Sequence, residues 1–200
     1  MNRVELAREI YHRSHLQGTF TLRSGATSNE YFDKYRFESD PVLLAEVGRA
    51  MVALVPPGTS SLAGLELGGV PLAVAMSALT GLPAVFVRKQ AKAYGTARLA
   101  EGGEVAGLHL VVVEDVVTSG GQVVASCTAL RELGAVITGA LCVIDRGAGG
   151  TQALAAEGIT LTALYRMSEL SAAQDQVAGL DEDTARVRNG RWPGCTREEP

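Results

Sequence analysis

An α/β domain with a largely parallel central sheet is predicted by three features of the chain. Leu108–Val113 and Val136–Ile144 are near-continuous apolar runs rich in β-branched residues, the pattern of strands buried on both faces. Gly121–Leu133, between them, has the length of a helix and stops at Gly134. The same alternation precedes them: Ser61–Leu65 reads as a strand, Val70–Thr80 as a helix and Ala84–Val87 as a strand.

The remaining elements follow in order. Val4–Ser14 is an amphipathic helix on which Val4, Ile10 and Tyr11 can share a face with Leu6 and Ala7 beside it. Thr19–Leu22 and Tyr31–Asp33 read as short strands around the turn Ser24-Gly25-Ala26. Ser39-Asp40-Pro41 starts a helix with a capping carboxylate and a proline in the first turn, and Pro56-Pro57-Gly58 ends it after about Val55. Beyond Val136–Ile144 come a short helix, Thr151–Glu157, a strand, Ile159–Tyr165, and a C-terminal segment expected to be helical up to Asn189-Gly190. There is no internal repeat and no low-complexity tract.

Composition narrows the class. Two hundred residues suffice for one well-buried core; 46% are hydrophobic and 20% charged, and the net charge is -4. No apolar run is long enough to span a bilayer, and Met1–Ser14 alternates charged and apolar residues unlike a signal peptide. Mild acidity argues against nucleic acid as the main partner, although a small anion can be held by local charge. Cys127, Cys142 and Cys195 lack paired spacing and read as reduced thiols of a cytoplasmic protein. His12 and His15 have no third ligand nearby and read as surface histidines.

The densest signal is Val111-Val112-Val113-Glu114-Asp115-Val116-Val117-Thr118-Ser119-Gly120-Gly121. A buried strand runs into two carboxylates, and a loop of small and hydroxyl residues then opens a helix. Such a loop can ring a phosphate with backbone N–H groups at the helix N-terminus, and its glycines let the anion approach closely. The adjacent carboxylates can accept hydrogen bonds from sugar hydroxyls. A plain strand end with a capped turn is the weaker reading. The segment is neither a dinucleotide fingerprint nor a P-loop.

This segment resembles the signature of the type I phosphoribosyltransferases, which bind phosphoribosyl pyrophosphate (PRPP). The resemblance implies their fold: a central, mainly parallel sheet flanked by helices, a small N-terminal hood and a long catalytic loop. It implies that Glu114 and Asp115 hold the ribose hydroxyls. Val117, Thr118, Ser119, Gly120, Gly121 and Gln122 would surround the 5-phosphate, and Val116 would also contact PRPP.

Three further segments bear on the acceptor. Arg88-Lys89-Gln90-Ala91-Lys92-Ala93-Tyr94-Gly95 opens a polar stretch reaching Gly107, long enough to be a functional lid. Fifteen of the 18 basic residues are Arg, yet two of the three lysines, Lys34, Lys89 and Lys92, stand here, which suggests that the ammonium itself matters. The segment is similar to the catalytic loop of orotate phosphoribosyltransferases, in which many members have His where Tyr94 stands. Phe20–Asp33 resembles their hood, with Tyr31 and Phe32 flanking the orotate ring and Arg23 contacting ligands. Ile144-Asp145-Arg146 ends a strand with an arginine able to grip a carboxylate in bidentate fashion. In that family the matching arginine binds orotate, and the residue matching Thr118 touches it too. Some relatives place Lys where this chain has Gly68.

The resemblance implies a single domain of residues 1–200, with a hood over roughly 1–40, a PRPP-binding core over roughly 41–170 and a C-terminal helix and tail over 171–200. It implies transfer of the phosphoribosyl group to orotate in UMP biosynthesis, with Lys89, Lys92 and Asp115 catalytic. Mg2+ would be carried by PRPP rather than held by direct protein ligands. A homodimer would exchange loop residues between active sites. A transferase for another base shares the PRPP motif but not the hood and lysine loop. A nucleic-acid-binding regulator with this fold should show a basic face.

Overall fold

The computed structural model describes residues 1–21, 25–90 and 99–175. Arg23, Lys92, Tyr94 and the C-terminal segment beyond 175 lie outside the described residues.

Helix α1 (Arg3–Ser14) begins with a reciprocal cap in which Asn2 and Glu5 each accept the other's backbone N–H. It buries Leu6, Ala7 and Ile10, whereas Val4 is exposed, so the inward face lies one position round from the expected one. Strands β1 (His15–Thr21) and β2 (Thr27–Phe32) form an antiparallel hairpin, a sheet of their own. Both are longer than their alternating apolar residues indicate, because exposed polar positions take part in the pairing.

A single helical turn, α2 (Tyr35–Glu38), follows. Helix α3 (Pro41–Val52) starts as expected: the Asp40 carboxylate accepts from the N–H groups of Val42 and Leu43, both at 3.0 Å. It stops before Val55, where Leu54 and Val55 donate to Met51 and Val52 in tighter turns.

The main sheet holds β3 (Ser61–Leu65), β4 (Ala84–Val87), β5 (Ala100–Glu101), β6 (His109–Val117), β7 (Val136–Asp145) and β8 (Leu161–Arg166). Their spatial order is β5-β4-β3-β6-β7-β8, and every pair is parallel except β4 with β5. The helices between them are α4 (Gly69–Thr80), α5 (Gly121–Glu132) and α6 (Gly150–Ala156), and α7 (Met167–Asp175) follows β8. No helix among the described residues is long and apolar enough to cross a membrane.

The two apolar clusters explain why the strand sequences lack alternation. Val111 and Val113 of β6 join α1, α3, α4 and α7 on one face, while Leu110 and Val112 join Val123, Cys127 and Leu130 of α5 on the other. Both described thiols are free and buried, and burial pushes that of Cys127 up to about 11.

Two strands differ from expectation. The polar stretch after Arg88 contains β5, which pairs Ala100 with Val87 and Glu101 with Phe86. A two-residue strand carries no readable period, and its signal is the burial of Ala100 and Val105. Strand β6 continues through the acidic pair to Val117 instead of ending at Val113, with Glu114 opposite Cys142 and Val117 opposite Asp145 on β7.

Chain order sets where a ligand can sit. From β3 the chain winds outward through α4 to β4, and from β6 it winds the other way through α5 to β7. Adjacent β3 and β6 therefore form the point at which strand order reverses, and their carboxyl ends open into a crevice. Close packing beneath it requires Gly64, since a Cβ there would lie 2.6 Å from the Gly69 carbonyl oxygen and 2.8 Å from Ala73 Cβ. We expect Gly64→Ala to lower stability by about 1–3 kcal/mol, read as a fall of roughly 3–10 °C in the thermal midpoint by circular dichroism; an unchanged midpoint would refute this packing.

Candidate active site

Three backbone segments meet at the carboxyl ends of β3 and β6. The first is the turn Glu66–Gly69, which contains a cis peptide between Glu66 and Leu67. It lies flat against β6: a Cβ on Gly69 would overlap the Val113 carbonyl oxygen, and one on Gly68 would overlap Asp115 Oδ2. Gly68 is thus the residue that the position of Asp115 allows. The turn is tied to the end of β4 by the Lys89 N–H, which donates to Glu66 Oε2 at 3.2 Å.

The second segment is the acidic pair, held inside a strand. Glu114 is 8% exposed and Asp115 is fully buried. Glu114 Oε1 accepts from the Asp115 N–H at 3.0 Å, and Asp115 Oδ1 accepts from the Val116 N–H. Lys34 Nζ stands 2.6 Å from Asp115 Oδ2, and Glu38 is buried beside them. Three carboxyl groups and one ammonium therefore share a poorly solvated space.

That space separates their ionisation. Burial, then the charge of Asp115, pushes Glu38 up to about 9. Burial and the neighbouring Asp115 likewise raise Glu114. Burial opposes ionisation of Asp115 too, but hydrogen bonds from Glu114 and Lys34 and the Lys34 charge bring it below its ordinary value. Burial disfavours the Lys34 ammonium, yet Asp115 more than offsets this and raises its pKa. Burial thus favours the protonated forms of Glu38 and Glu114, while the Lys34 ammonium favours the ionised form of Asp115.

The third segment is the loop Thr118–Gly121 at the start of α5. Thr118, Ser119, Gly121 and Gln122 are exposed, while Gly120 is buried with φ 79°. At Gly120 a Cβ would lie 2.6 Å from Leu154 Cδ1 and 3.0 Å from the Gly150 carbonyl oxygen, so the loop rests on the start of α6. Val117 points its side chain into the core, and its carbonyl accepts from the Arg146 N–H at 2.9 Å. Of this residue only backbone could face a ligand. The first-turn N–H groups of α5 open onto the crevice and suit an anion.

The other expected residues lie after β4, after β7 and on the N-terminal hairpin. Arg88 is half-buried and its Nε lies 3.4 Å from Glu101 Oε1, whereas Lys89 is exposed. Arg146 is exposed; the preceding Asp145 does not pair with it but accepts from the Gly147 N–H at 2.8 Å and the Thr151 hydroxyl at 3.1 Å. In the hood Tyr31 is exposed against Phe20, and Phe32 packs inward towards Tyr11. His15 pairs with Glu30 at 2.9 Å and stacks on Tyr11. A separate cleft of about 230 Å3 between α1 and α7, lined by Arg3, Ala7, Tyr165 and Glu169, lies away from these groups.

Sequence reasoning missed Lys34 and Glu38. The scarcity of lysine that singles out Lys89 and Lys92 applies equally to Lys34, and would have found it. Glu38 carried no such signal, since its burial follows from α2, a turn too short to read.

The charge arrangement has a pH signature. Folded protein keeps a proton on Glu38 that the unfolded chain releases above about 4.5, so this group makes stability fall as pH rises from about 5 towards 9. Glu38→Gln removes the titration. Its thermal midpoint should gain on the wild type by roughly 2–4 °C between pH 5 and pH 8, and parallel curves would refute a protonated Glu38.

Comparison with known proteins agrees with this geometry. The phosphoribosyl transferase domain family matches residues 59–157, which span β3 to α6. A curated orotate phosphoribosyltransferase of Nocardioides is 51% identical over 85% of this chain and 95% of its own. The crystal structure of Mycobacterium tuberculosis orotate phosphoribosyltransferase in complex with Fe(III) dicitrate superposes with a TM-score of 0.77 at 36% identity, over 84% of this chain and 98% of that one. The same protein in complex with PRPP gives a TM-score of 0.74 at 31% identity over the same shares. With a relative this similar over nearly its whole length, and with the sheet, crevice and phosphate-type loop in place, the chain belongs to the orotate phosphoribosyltransferase family.

Proposed function

We propose that this chain transfers the 5-phosphoribosyl group of PRPP to orotate, giving orotidine 5-monophosphate and pyrophosphate on the route to UMP. The observation that carries the reading is the exposed head of α5 beside a buried acidic pair, at the sheet's reversal point. A sugar phosphate matches both halves: the 5-phosphate suits the N–H groups and hydroxyls of Thr118, Ser119, Gly120, Gly121 and Gln122, and the ribose diol suits Glu114 and Asp115. Val116 and Val117 contribute backbone.

In the reaction a ring nitrogen of orotate gives up its proton, which the departing pyrophosphate can accept, and forms a bond to C1 of the ribose while the bond from C1 to the pyrophosphate oxygen breaks. Positive charge develops on the sugar ring, and Glu114 and Asp115 are the acids assigned to offset it. Negative charge develops on the pyrophosphate, and Arg88, Lys89 and Lys92 are the cations assigned to it. Arg88 must exchange Glu101 for the leaving group to do so. Tyr94 adds a hydrogen-bond donor, and a loop closing over the site keeps water from C1. Arg146 grips the orotate carboxylate, with Thr118, Tyr31, Phe32 and Arg23 around the ring.

The described residues contain no cluster of His, Cys, Asp or Glu suited to a metal ion, and Asp115 is already paired with an ammonium. Mg2+ would come with PRPP rather than be held by direct protein ligands, as suits an ion that prefers phosphate oxygens. Its chemistry there would be to neutralise phosphate charge beside Arg88, Lys89 and Lys92. We further propose a cytoplasmic homodimer in which Lys92 and its neighbours serve the partner's site.

Incubation with PRPP, Mg2+ and orotate, followed by loss of orotate absorbance, tests the reading. Turnover is expected with orotate and not with adenine, hypoxanthine or uracil, and Lys92→Ala should lower it on the order of a hundredfold or more. Turnover with another base would overturn the acceptor. A second test addresses the phosphate loop: a Cβ at Gly150 would lie 2.5 Å from Val117 Cγ1 and 2.8 Å from the Thr118 carbonyl oxygen. Gly150→Ala should displace the loop and raise the KM for PRPP roughly tenfold, about 1.4 kcal/mol of lost binding; an unaltered KM would remove the 5-phosphate from this loop.

A further inference from the structure

We propose that Lys34 is a positioning residue of the sugar site, keeping the Asp115 carboxylate ionised and in place for the ribose diol; this rests on the assignment of Asp115 made above. The argument is one of charge in a confined space. Asp115 is fully buried, and two more carboxyl groups face the same point: Glu114 from its own strand and Glu38 from α2. Three such groups cannot all be ionised out of water. Among the described residues one cation serves them, Lys34, and its Nζ contacts Asp115 Oδ2 at 2.6 Å. Asp33 and Tyr35 flank it, and the Asp33 carboxylate is engaged by the Tyr35 N–H at 3.2 Å. The turn Glu66–Gly69 offers no side chain at this point, because Gly68 has none.

The position of Lys34 therefore selects which carboxyl carries the charge. That position is built in. Lys34 precedes the first residue of α2, which is closed by the Ser39 N–H donating to the Tyr35 carbonyl and anchored by fully buried Phe37. Its ammonium also lies 5.2 Å from the Tyr35 ring centroid.

Selection matters because sugar hydroxyls must donate to the carboxylate. An ionised carboxylate presents about four acceptor positions. The Val116 N–H and the Lys34 ammonium take two of these, and the neighbouring Glu114 and Glu38 compete for the others, so an incoming diol takes the places of the two glutamates. A protonated Asp115 would meet the hydroxyls with a donor of its own and lose the charge-assisted bonds.

The test is the pH profile of the KM for PRPP, with orotate saturating, for wild type, Lys34→Gln and Lys34→Arg. Removing the cation raises the Asp115 pKa, so the acceptor form is scarce at low pH and recovers as pH rises. Lys34→Gln should have a KM on the order of tenfold above wild type at pH 6, narrowing to within about threefold by pH 9. Lys34→Arg keeps the charge and should track the wild type within about threefold throughout. An unchanged KM, or a rise of equal factor at every pH, overturns the proposal, because lost packing alone has no such dependence. If Lys34→Gln does not fold, carbon-13 titration of the wild-type carboxyl groups decides: Asp115 ionised at pH 6 supports the proposal, and Asp115 protonated at pH 6 overturns it. Asp115→Asn separates the two readings, since an unaltered KM for PRPP in that variant would sink the diol assignment whatever Lys34 does.

Discussion

The site is organised around one constraint: a carboxylate with no access to water has to be kept charged. Asp115 sits inside a strand of the central sheet, under a turn whose glycine touches it. Burial alone would protonate such a group. An ammonium from the segment after the hairpin prevents this, and it can reach the carboxylate because α1, α2 and α3 pack onto the same face of the sheet as β6. The N-terminal region is thereby coupled electrostatically to the sheet centre as well as by apolar packing.

The fold was largely legible because its main elements announce themselves through period and punctuation. Leu110–Val113 has no alternation since both faces are covered, and Asp40-Pro41 is a helix start in chemistry as well as in position. What stayed hidden lacks either signal. Strand β5 has two residues and α2 four, too short for any period. The continuation of β6 through Glu114 and Asp115 was hidden for another reason: two adjacent acids read as the end of a buried strand, and only the ladder to β7 carries them further.

The site divides in the same manner. The acidic pair and the loop after it lie together in the chain, and one contiguous motif specifies them. Lys34, Glu38 and Gly68 join them through tertiary contacts, across separations in sequence that local spacing does not encode. Gly68 illustrates the difference. From sequence it is a place where a lysine is missing; in three dimensions it is a place with no volume to spare, because the neighbouring carboxylate fills it.

The contact between Gly120 and Gly150 has a mechanical consequence. The loop at the head of α5 and the loop that begins with Arg146 touch backbone to backbone, and the Val117 carbonyl clamps the Arg146 amide. Leu154 and Val117 fill the space beside this contact, so the two loops form one frame. The gap from Arg146 to the amides of α5 is set by main-chain geometry. A shift of either loop is therefore passed to the other through the main chain.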